Sequence, residues 1–263
     1  MNLTGKTALI TGASSGIGEA FAYLLASKGM NLVIVARSKA KLETIAQEIR
    51  DKYQVTVEVL QQDLGIAHSA KALYDTVKSR QIGIDLLINN AGFGKWGRFE
   101  AFAAEEYEQM IQLNVTSLTE LCYFFLEDLK QRDEAGIINV GSTASFMPVP
   151  FSGVYGGTKS YVLSFTEALV GELESTNITV HCLCPSGTES NFNAVANSNN
   201  KTDHSTEKLM SSAEVAQIGL DAFLAKKHYV VTGRKTQITI MKFLSRRRVI
   251  QMIADFWEKR LGL

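Results

Sequence analysis

Tyr155 and Lys159 stand four residues apart in the stretch Tyr155-Gly156-Gly157-Thr158-Lys159. On a helix that spacing puts both side chains on one face, a turn apart. Pro148 and Pro150 disfavour helix just upstream, so the helix is expected to start near Phe151 or Ser152. The chemistry open to such a pair is proton transfer. A free Tyr titrates near ~10, too high to donate readily at neutral pH. A neighbouring ammonium favours the phenolate, and a drop of about 3 units corresponds to about 4 kcal/mol. Tyr155 then becomes a candidate general acid or base. Taken alone, the pair reads better as an ordinary Tyr and Lys on an amphipathic helix, because the spacing arises easily by chance. Gly156 and Gly157 each cost a helix roughly 1 kcal/mol relative to Ala, which suggests that something approaches the backbone closely there.

The elements that would position this pair alternate. Thr7–Thr11 is a short apolar run that reads as a buried parallel strand, and Ile17, Phe21, Leu24 and Leu25 then recur at helical spacing. Between them lies Gly12-Ala13-Ser14-Ser15-Gly16-Ile17-Gly18. A strand, a Gly-rich turn and a helix N-terminus together favour a phosphate, because backbone N–H groups and the helix dipole face it. The spacing is G-x-x-x-G-x-G, not the G-x-G-x-x-G of the general dinucleotide fingerprint. The next strand, Asn31–Ala36, ends at Arg37-Ser38, about where an adenosine ribose is read. An acid there would repel a 2′-phosphate. Arg37 attracts one and Ser38 adds a hydroxyl, so NADP(H) is expected over NAD(H). A solvated Arg at a helix start is the plainer alternative.

Further along come a helix bearing Leu42, Ile45, Ala46 and Ile49, a strand near Val55–Leu60, then Asp63-Leu64. A helix follows over roughly Ala67–Lys78, and a strand Asp85–Ile88 ends in Asn89-Asn90-Ala91-Gly92. Ala104 to about Lys130 reads as one helix with Asn114, a poor mid-helix residue, inside it. Strand Gly136–Val140 leads to Ser142, which points into the same crevice as Tyr155 or is simply a turn hydroxyl. Strand Ile178–Cys184 leads to Pro185-Ser186-Gly187-Thr188. From Gly187 to Ser211 the chain is polar and patternless, and a lid is expected there. Ser211 with Glu214 forms a capping box for a helix to Leu224, and His228–Thr232 reads as the last strand. Alternating strands and helices predict a single-domain α/β fold, a Rossmann-like doubly wound parallel sheet with helices on both faces and ligands at the strand C-terminal ends.

Composition narrows the function. The 263 residues are 46% hydrophobic with formal net charge zero, so overall charge gives no case for nucleic-acid binding. Three cysteines in such a length fit a reducing compartment, and Cys182 with Cys184 read as core residues because no His/Cys cluster completes a metal site around them. The N-terminal residues lack a signal-peptide layout and no apolar run reaches membrane-spanning length, so the cytoplasm is expected.

Thr11-Gly12-x-x-x-Gly16-x-Gly18, Asn89-Asn90-Ala91-Gly92, Asn114, Ser142 and Tyr155-x-x-x-Lys159, in this order and spacing, resemble the short-chain dehydrogenase/reductase family. The likeness runs from Gly5 to about Gly233 and is nearest to ketoacyl, hydroxysteroid and short-chain ketone reductases. It implies that Tyr155 protonates a carbonyl oxygen, that Lys159 lowers its pKa and holds the nicotinamide ribose, and that Ser142 binds the substrate oxygen. Asn114 would hold a proton-relay water. Gly12, Ser14, Ser15, Gly16, Ile17 and Gly18 would border the pyrophosphate, Asp63 and Leu64 the adenine, and Asn90, Ala91 and Gly92 the length of the cofactor. Pro185, Thr188 and Ser190 would lie at the nicotinamide amide. Two departures stand out: Ser186 where the family has Gly after that Pro, and Ser190 where it has Thr. The substrate is then a small carbonyl or alcohol compound. Phe93, Phe146, Met147, Val149, Phe151 and Phe192 suggest an apolar pocket for it. A non-catalytic NADP(H)-binding sensor or scaffold is the alternative from another class.

Residues 1–233 form the expected NADP-binding domain, and 234–263 a basic amphipathic extension. Met241, Phe243, Leu244, Val249, Ile250, Met252, Ile253, Phe256 and Trp257 are interleaved there with Lys242, Arg246, Arg247 and Arg248. The family commonly forms dimers and tetramers, so packing on the substrate pocket or on a partner subunit of a homodimer or homotetramer is expected. An anionic membrane surface is the less favoured cover.

Overall fold

The computed structural model describes residues 1–189, 209–233, 235–241 and 243–262. β1 (Thr7–Thr11), β2 (Asn31–Ala36), β3 (Val57–Gln61), β4 (Leu86–Asn89), β5 (Ala135–Val140), β6 (Ile178–Cys184) and β9 (Tyr229–Val231) form one parallel sheet in the order β3-β2-β1-β4-β5-β6-β9. Two-residue strands β7 (Thr188–Glu189) and β8 (Met210–Ser211) pair separately. Strand order turns back between β1 and β4, so the crevice for a ligand opens at the C-terminal ends of those two strands. This is a Rossmann-like, doubly wound, single-domain fold, as the alternation of elements predicts.

Side chains leave alternate faces of each strand, and both faces are apolar because helices cover both. Ala8 and Ile10 of β1 and Leu32 and Ile34 of β2 pack under α1 (Gly16–Ser27), α2 (Lys39–Tyr53) and α7 (Ser212–Leu224). Leu9, Val33 and Val35 face the opposite layer, with α3 (Ser69–Ser79), α5 (Leu118–Lys130) and α6 (Gly153–Leu173). Phe21 and Phe223 anchor the first layer and Phe125 the second, all buried. Each such ring contributes roughly 1.5–3 kcal/mol on burial.

The expected helix from Ala104 to Lys130 is divided. α4 (Ala104–Ile111) passes into a π-helical turn, Gln112–Ser117, before α5 begins. Side chains account for the widened turn. Ser117 Oγ leaves the helix to donate to Leu64 O at 2.6 Å, and Asn114 is drawn toward the loop after β4. Such turns recur at functional sites. α6 starts at Gly153, after Phe151 takes φ +63 and Ser152 holds the position before the helix, its hydroxyl turned away to Lys95 O. Of the two helical glycines, Gly156 has a close neighbour: a Cβ there would come within 3.1 Å of Val149 Cγ2, whereas Gly157 has open space. The approach expected of both is therefore made only at Gly156, by a side chain.

The last residues form α8 (Lys235–Met241) and α9 (Arg246–Leu261). No described helix is long and apolar enough to cross a membrane.

His181 on β6 carries a pH dependence of its own. Its Nδ1 lies 2.7 Å from Lys227 O and therefore donates, while Nε2 is buried without a partner among the described residues. Burial pushes its pKa from 6.5 down to about 4. On acidification the unfolded chain takes up the proton first, so this residue's share of stability is present above pH 6.5 and is lost as pH falls toward 4. The loss is on the order of 3 kcal/mol. His181→Asn keeps a donor for Lys227 and does not titrate. Denaturant midpoints measured from pH 7 to 4 are expected to fall less steeply for that variant, and equal slopes would exclude His181 as the source.

Candidate active site

The glycine turn after β1 is held in shape by β4. Thr11 Oγ1 accepts from the backbone N–H groups of Asn90 and Ala91, each at 3.0 Å, and Asn90 Nδ2 donates to Thr11 O at 2.9 Å and Gly12 O at 3.3 Å. Gly12 has φ +67, and a Cβ there would lie 2.8 Å from Asn90 Nδ2 and 2.9 Å from Ala91 Cα. A side chain at Gly18 would strike the Gly12 carbonyl and Asn90. α1 begins at Gly16 behind Ser15, whose side chain makes no capping bond. The turn therefore presents an N-terminus without a side-chain cap, with Ser14 and Ile17 half-buried at its rim. Asn90, implied by the resemblance to lie along a cofactor, spends its amide on the turn itself. Thr11 is the tie that sequence reasoning passed over, although it opens the motif.

At the end of β2, Arg37 is exposed and its guanidinium has no ion pair or hydrogen bond among the described residues; only its carbonyl is used, by Gln61 Nε2 at 3.0 Å. Ser38 precedes α2 without a side-chain capping bond. Both groups are open to a ligand. Across the crevice mouth, Asp63 Oδ1 accepts from Gly65 N at 2.9 Å, and Leu64 is buried.

Tyr155, Lys159 and Ser142 meet at the C-terminal end of β5. The Ser142 and Tyr155 hydroxyls are hydrogen-bonded. Ser142 Oγ also accepts from Ala144 N at 3.1 Å, and its backbone N–H donates to Ser145 Oγ. Ser145 Oγ in turn donates to Lys159 O at 2.7 Å, so one short 3₁₀ turn, Thr143–Phe146, fixes the Ser and Lys positions together. Lys159 Nζ donates to Val140 O at 2.8 Å and sits 5.9 Å from the centre of the Tyr155 ring. Gly92 leaves room beside them: a Cβ there would lie 2.9 Å from Asn114 Oδ1 and 3.4 Å from Lys159 Nζ. Asn114 uses both amide hydrogens, toward Phe93 O at 2.9 Å and Thr158 Oγ1 at 3.1 Å, and its Oδ1 accepts from Phe93 N. Its side chain thus binds the loop after β4 to α6.

Burial sets the electrostatics. It pushes Tyr155 up to about 12, against the lowering effect of the Ser142 hydrogen bond, and pushes Lys159 down to about 8. The expected lowering of Tyr155 by Lys159 is not what the fold produces. Loss of water raises the phenol pKa more than the Ser142 hydrogen bond lowers it, and the Lys159 ammonium is itself desolvated and turned toward Val140 O. At neutral pH the result is a protonated phenol beside a cation: the proton is present on Tyr155, and burial alone makes it harder to give up, so donation depends on negative charge developing on the acceptor oxygen.

Beyond β6, Pro185 O accepts from Thr143 N at 2.8 Å, and the Thr188 hydroxyl donates to Ser186 O at 2.9 Å. Ser186, one of the two departures, is accommodated by Gly233 opposite, where any Cβ would overlap the Ser186 hydroxyl. Ser190, Phe192 and the expected lid lie outside the described residues. Cys182 and Cys184 are buried as expected, with sulfurs 3.6 Å apart, and burial together with their mutual contact keeps Cys184 a neutral thiol.

The outer wall is apolar. Tyr155 packs with Met110, Ala144, Val149, Val249 and Ile253, and Phe93, Trp96, Met147, Met241, Leu244 and Trp257 surround them. Of the aromatic and aliphatic residues expected to line a pocket, Phe93, Met147 and Val149 are here, while Phe146 packs against Tyr229 of β9, the rings tilted by 50°.

The glycine turn after β1, the exposed Arg37 after β2 and the Ser142–Tyr155–Lys159 cluster after β5 all stand at C-terminal ends of the sheet strands. The model of the short chain dehydrogenase family matches residues 6–201. The chain belongs to this family. This short-chain dehydrogenase is 28% identical over 92% of its length to human 17-beta-hydroxysteroid dehydrogenase type 3, covering 78% of that protein. A short-chain dehydrogenase from Sphingobium yanoikuyae, solved in complex with NADPH, is 31% identical with TM-score 0.81, over 92% of this chain and 97% of that one. A family member from Burkholderia phymatum, solved with NAD, is 26% identical with TM-score 0.81, over 92% and 93%. The short-chain dehydrogenase described here is accordingly an oxidoreductase acting on CH–OH and C=O groups. What its sequence did not reveal is Trp96, a lone indole in the loop after Gly92, and the pairing of that residue with Trp257.

Proposed function

We propose that the chain is an NADP-dependent reductase of carbonyl compounds, or the corresponding secondary-alcohol dehydrogenase, with Tyr155 as proton donor. The observation that carries this is the Ser142–Tyr155 hydrogen bond beside the Lys159 ammonium in a water-poor, apolar site. The protein's own residues fit a dinucleotide. The cradle at Gly12 and Gly18 is one that a Cβ would fill, and the uncapped start of α1 suits a pyrophosphate. The unspent Arg37 guanidinium and Ser38 hydroxyl favour the 2′-phosphate of NADP. When bound, NADPH supplies the hydride.

The remaining work falls to side chains. Ser142 and Tyr155 present two hydroxyls to one substrate oxygen, and Tyr155 gives that oxygen its proton as negative charge develops. Lys159, cationic below about pH 8, stabilises the phenolate that remains. Asn114 positions Thr158 and the loop carrying Phe93 around this centre. The apolar wall suits an apolar ketone or alcohol. Exposed Tyr123 and Tyr161 on α5 and α6 support association into a homodimer or homotetramer, in the cytoplasm.

The test is NADPH oxidation across a panel of aliphatic, aromatic and polycyclic ketones. Turnover of at least one apolar class is expected. Tight NADPH binding with no turnover of any would favour the sensor or scaffold reading.

A further inference from the structure

We infer that Trp257, on the C-terminal helix α9, determines which substrates reach Tyr155; this rests on the carbonyl-reductase reading above. Its indole stacks on Trp96 at 4.3 Å between ring centres and 15° between planes, and Trp96 meets Tyr155 edge-on at 5.7 Å. The three rings form a continuous pile with the phenol at its inner end.

The two indoles are held differently. Trp96 sits in a braced loop: Gly97 N donates to Phe151 O at 2.8 Å, Ser152 Oγ donates to Lys95 O at 2.7 Å, and Lys95 pairs with Glu106 at 2.6 Å. Trp257 is carried on α9. That helix lays Val249, Ile253 and Trp257, spaced by four, against the Tyr155 cluster. Its opposite face is charged, with Arg247, Asp255 and Glu258 exposed. Trp96 is therefore the fixed jamb of the substrate site and Trp257 the outer wall. Trp96 packs on Tyr155 and Trp257 covers Trp96, so a carbonyl that reaches the Ser142 and Tyr155 hydroxyls has its remainder against these indoles, and the size of residue 257 sets the bulk admitted. The glycine turn lies on β1 and α1, none of whose residues belong to the cluster that α9 covers, so NADPH affinity is expected to depend little on residue 257.

The experiment compares the unmodified protein with Trp257→Ala and Trp257→Phe on a ketone series from single-ring to fused polycyclic. For Trp257→Ala, kcat/KM for the bulkiest ketones is expected to rise relative to the smallest by roughly 10-fold or more, the scale on which apolar pockets discriminate size. Trp257→Phe, which preserves a stacking ring, is expected to fall between. NADPH affinity is expected to be unchanged in both, which also shows that the variants are folded. An unchanged ratio in folded Trp257→Ala, or equal losses for large and small ketones, would overturn the assignment. Calorimetric affinities of the same ketones for the NADPH-bound proteins read the wall without turnover. If the unmodified protein turns over nothing, the reductase reading fails by itself, while a size-dependent affinity shift in Trp257→Ala still supports the wall and its absence refutes it.

Discussion

Tyr155→Phe is expected to lower turnover at least ~10²-fold with NADPH affinity little changed. The ring packs against Trp96 and within the Met110, Val149, Val249 and Ile253 cluster, and Phe fills the same volume. Only the hydroxyl is lost. With it go the proton donor and the hydrogen bond to Ser142. Because the phenol is buried and is the proton donor itself, the effect is expected in the chemical step. Steady-state rates with a ketone at saturating NADPH, together with NADPH affinity by fluorescence, check it. Near-unmodified turnover with chemistry rate-limiting would remove Tyr155 from the assignment.

Arg37→Asp is expected to reverse the cofactor preference toward NADH. A charge-assisted bond from a guanidinium to a 2′-phosphate contributes about 1.5–3 kcal/mol, or roughly 10–150-fold. Arg37 is exposed, so solvent screening draws the value toward the lower part of that range. Asp repels the phosphate and accepts from a free ribose hydroxyl, which makes the reversal larger than simple loss of the bond. Affinities of NADPH and NADH for both proteins decide it. Equal values in the unmodified chain, or a preference there for NADH, would sink the claim.

Local patterns made much of this legible. The apolar runs of β1 and β2, the first with a glycine turn after it, predicted parallel strands feeding helices, and the structure has them. The four-residue step from Tyr155 to Lys159 predicted a shared face, and both are buried on α6. What sequence could not show were consequences of three-dimensional placement. The π-helical turn at Gln112–Ser117 arises because Ser117 reaches Leu64 and Asn114 reaches Phe93, contacts between distant segments. The direction of the Tyr155 shift follows from burial among Met110, Ala144, Val149 and, from α9 far along the chain, Val249 and Ile253, which spacing alone does not bring together. Trp96 and Trp257 carry no local motif at all. Their meaning comes from stacking.

The central claim is that one substrate oxygen is protonated by Tyr155 while NADPH reduces its carbon. Single-turnover mixing of the protein, NADPH deuterated at the transferring position and an apolar ketone tests it most directly, with the label followed into product. The account predicts deuterium on the carbinol carbon, a primary isotope effect on the transfer, and the same label transferred at least ~10² times more slowly by Tyr155→Phe. Nicotinamide bound but never oxidised, or label transferred equally fast without the phenol, would contradict it.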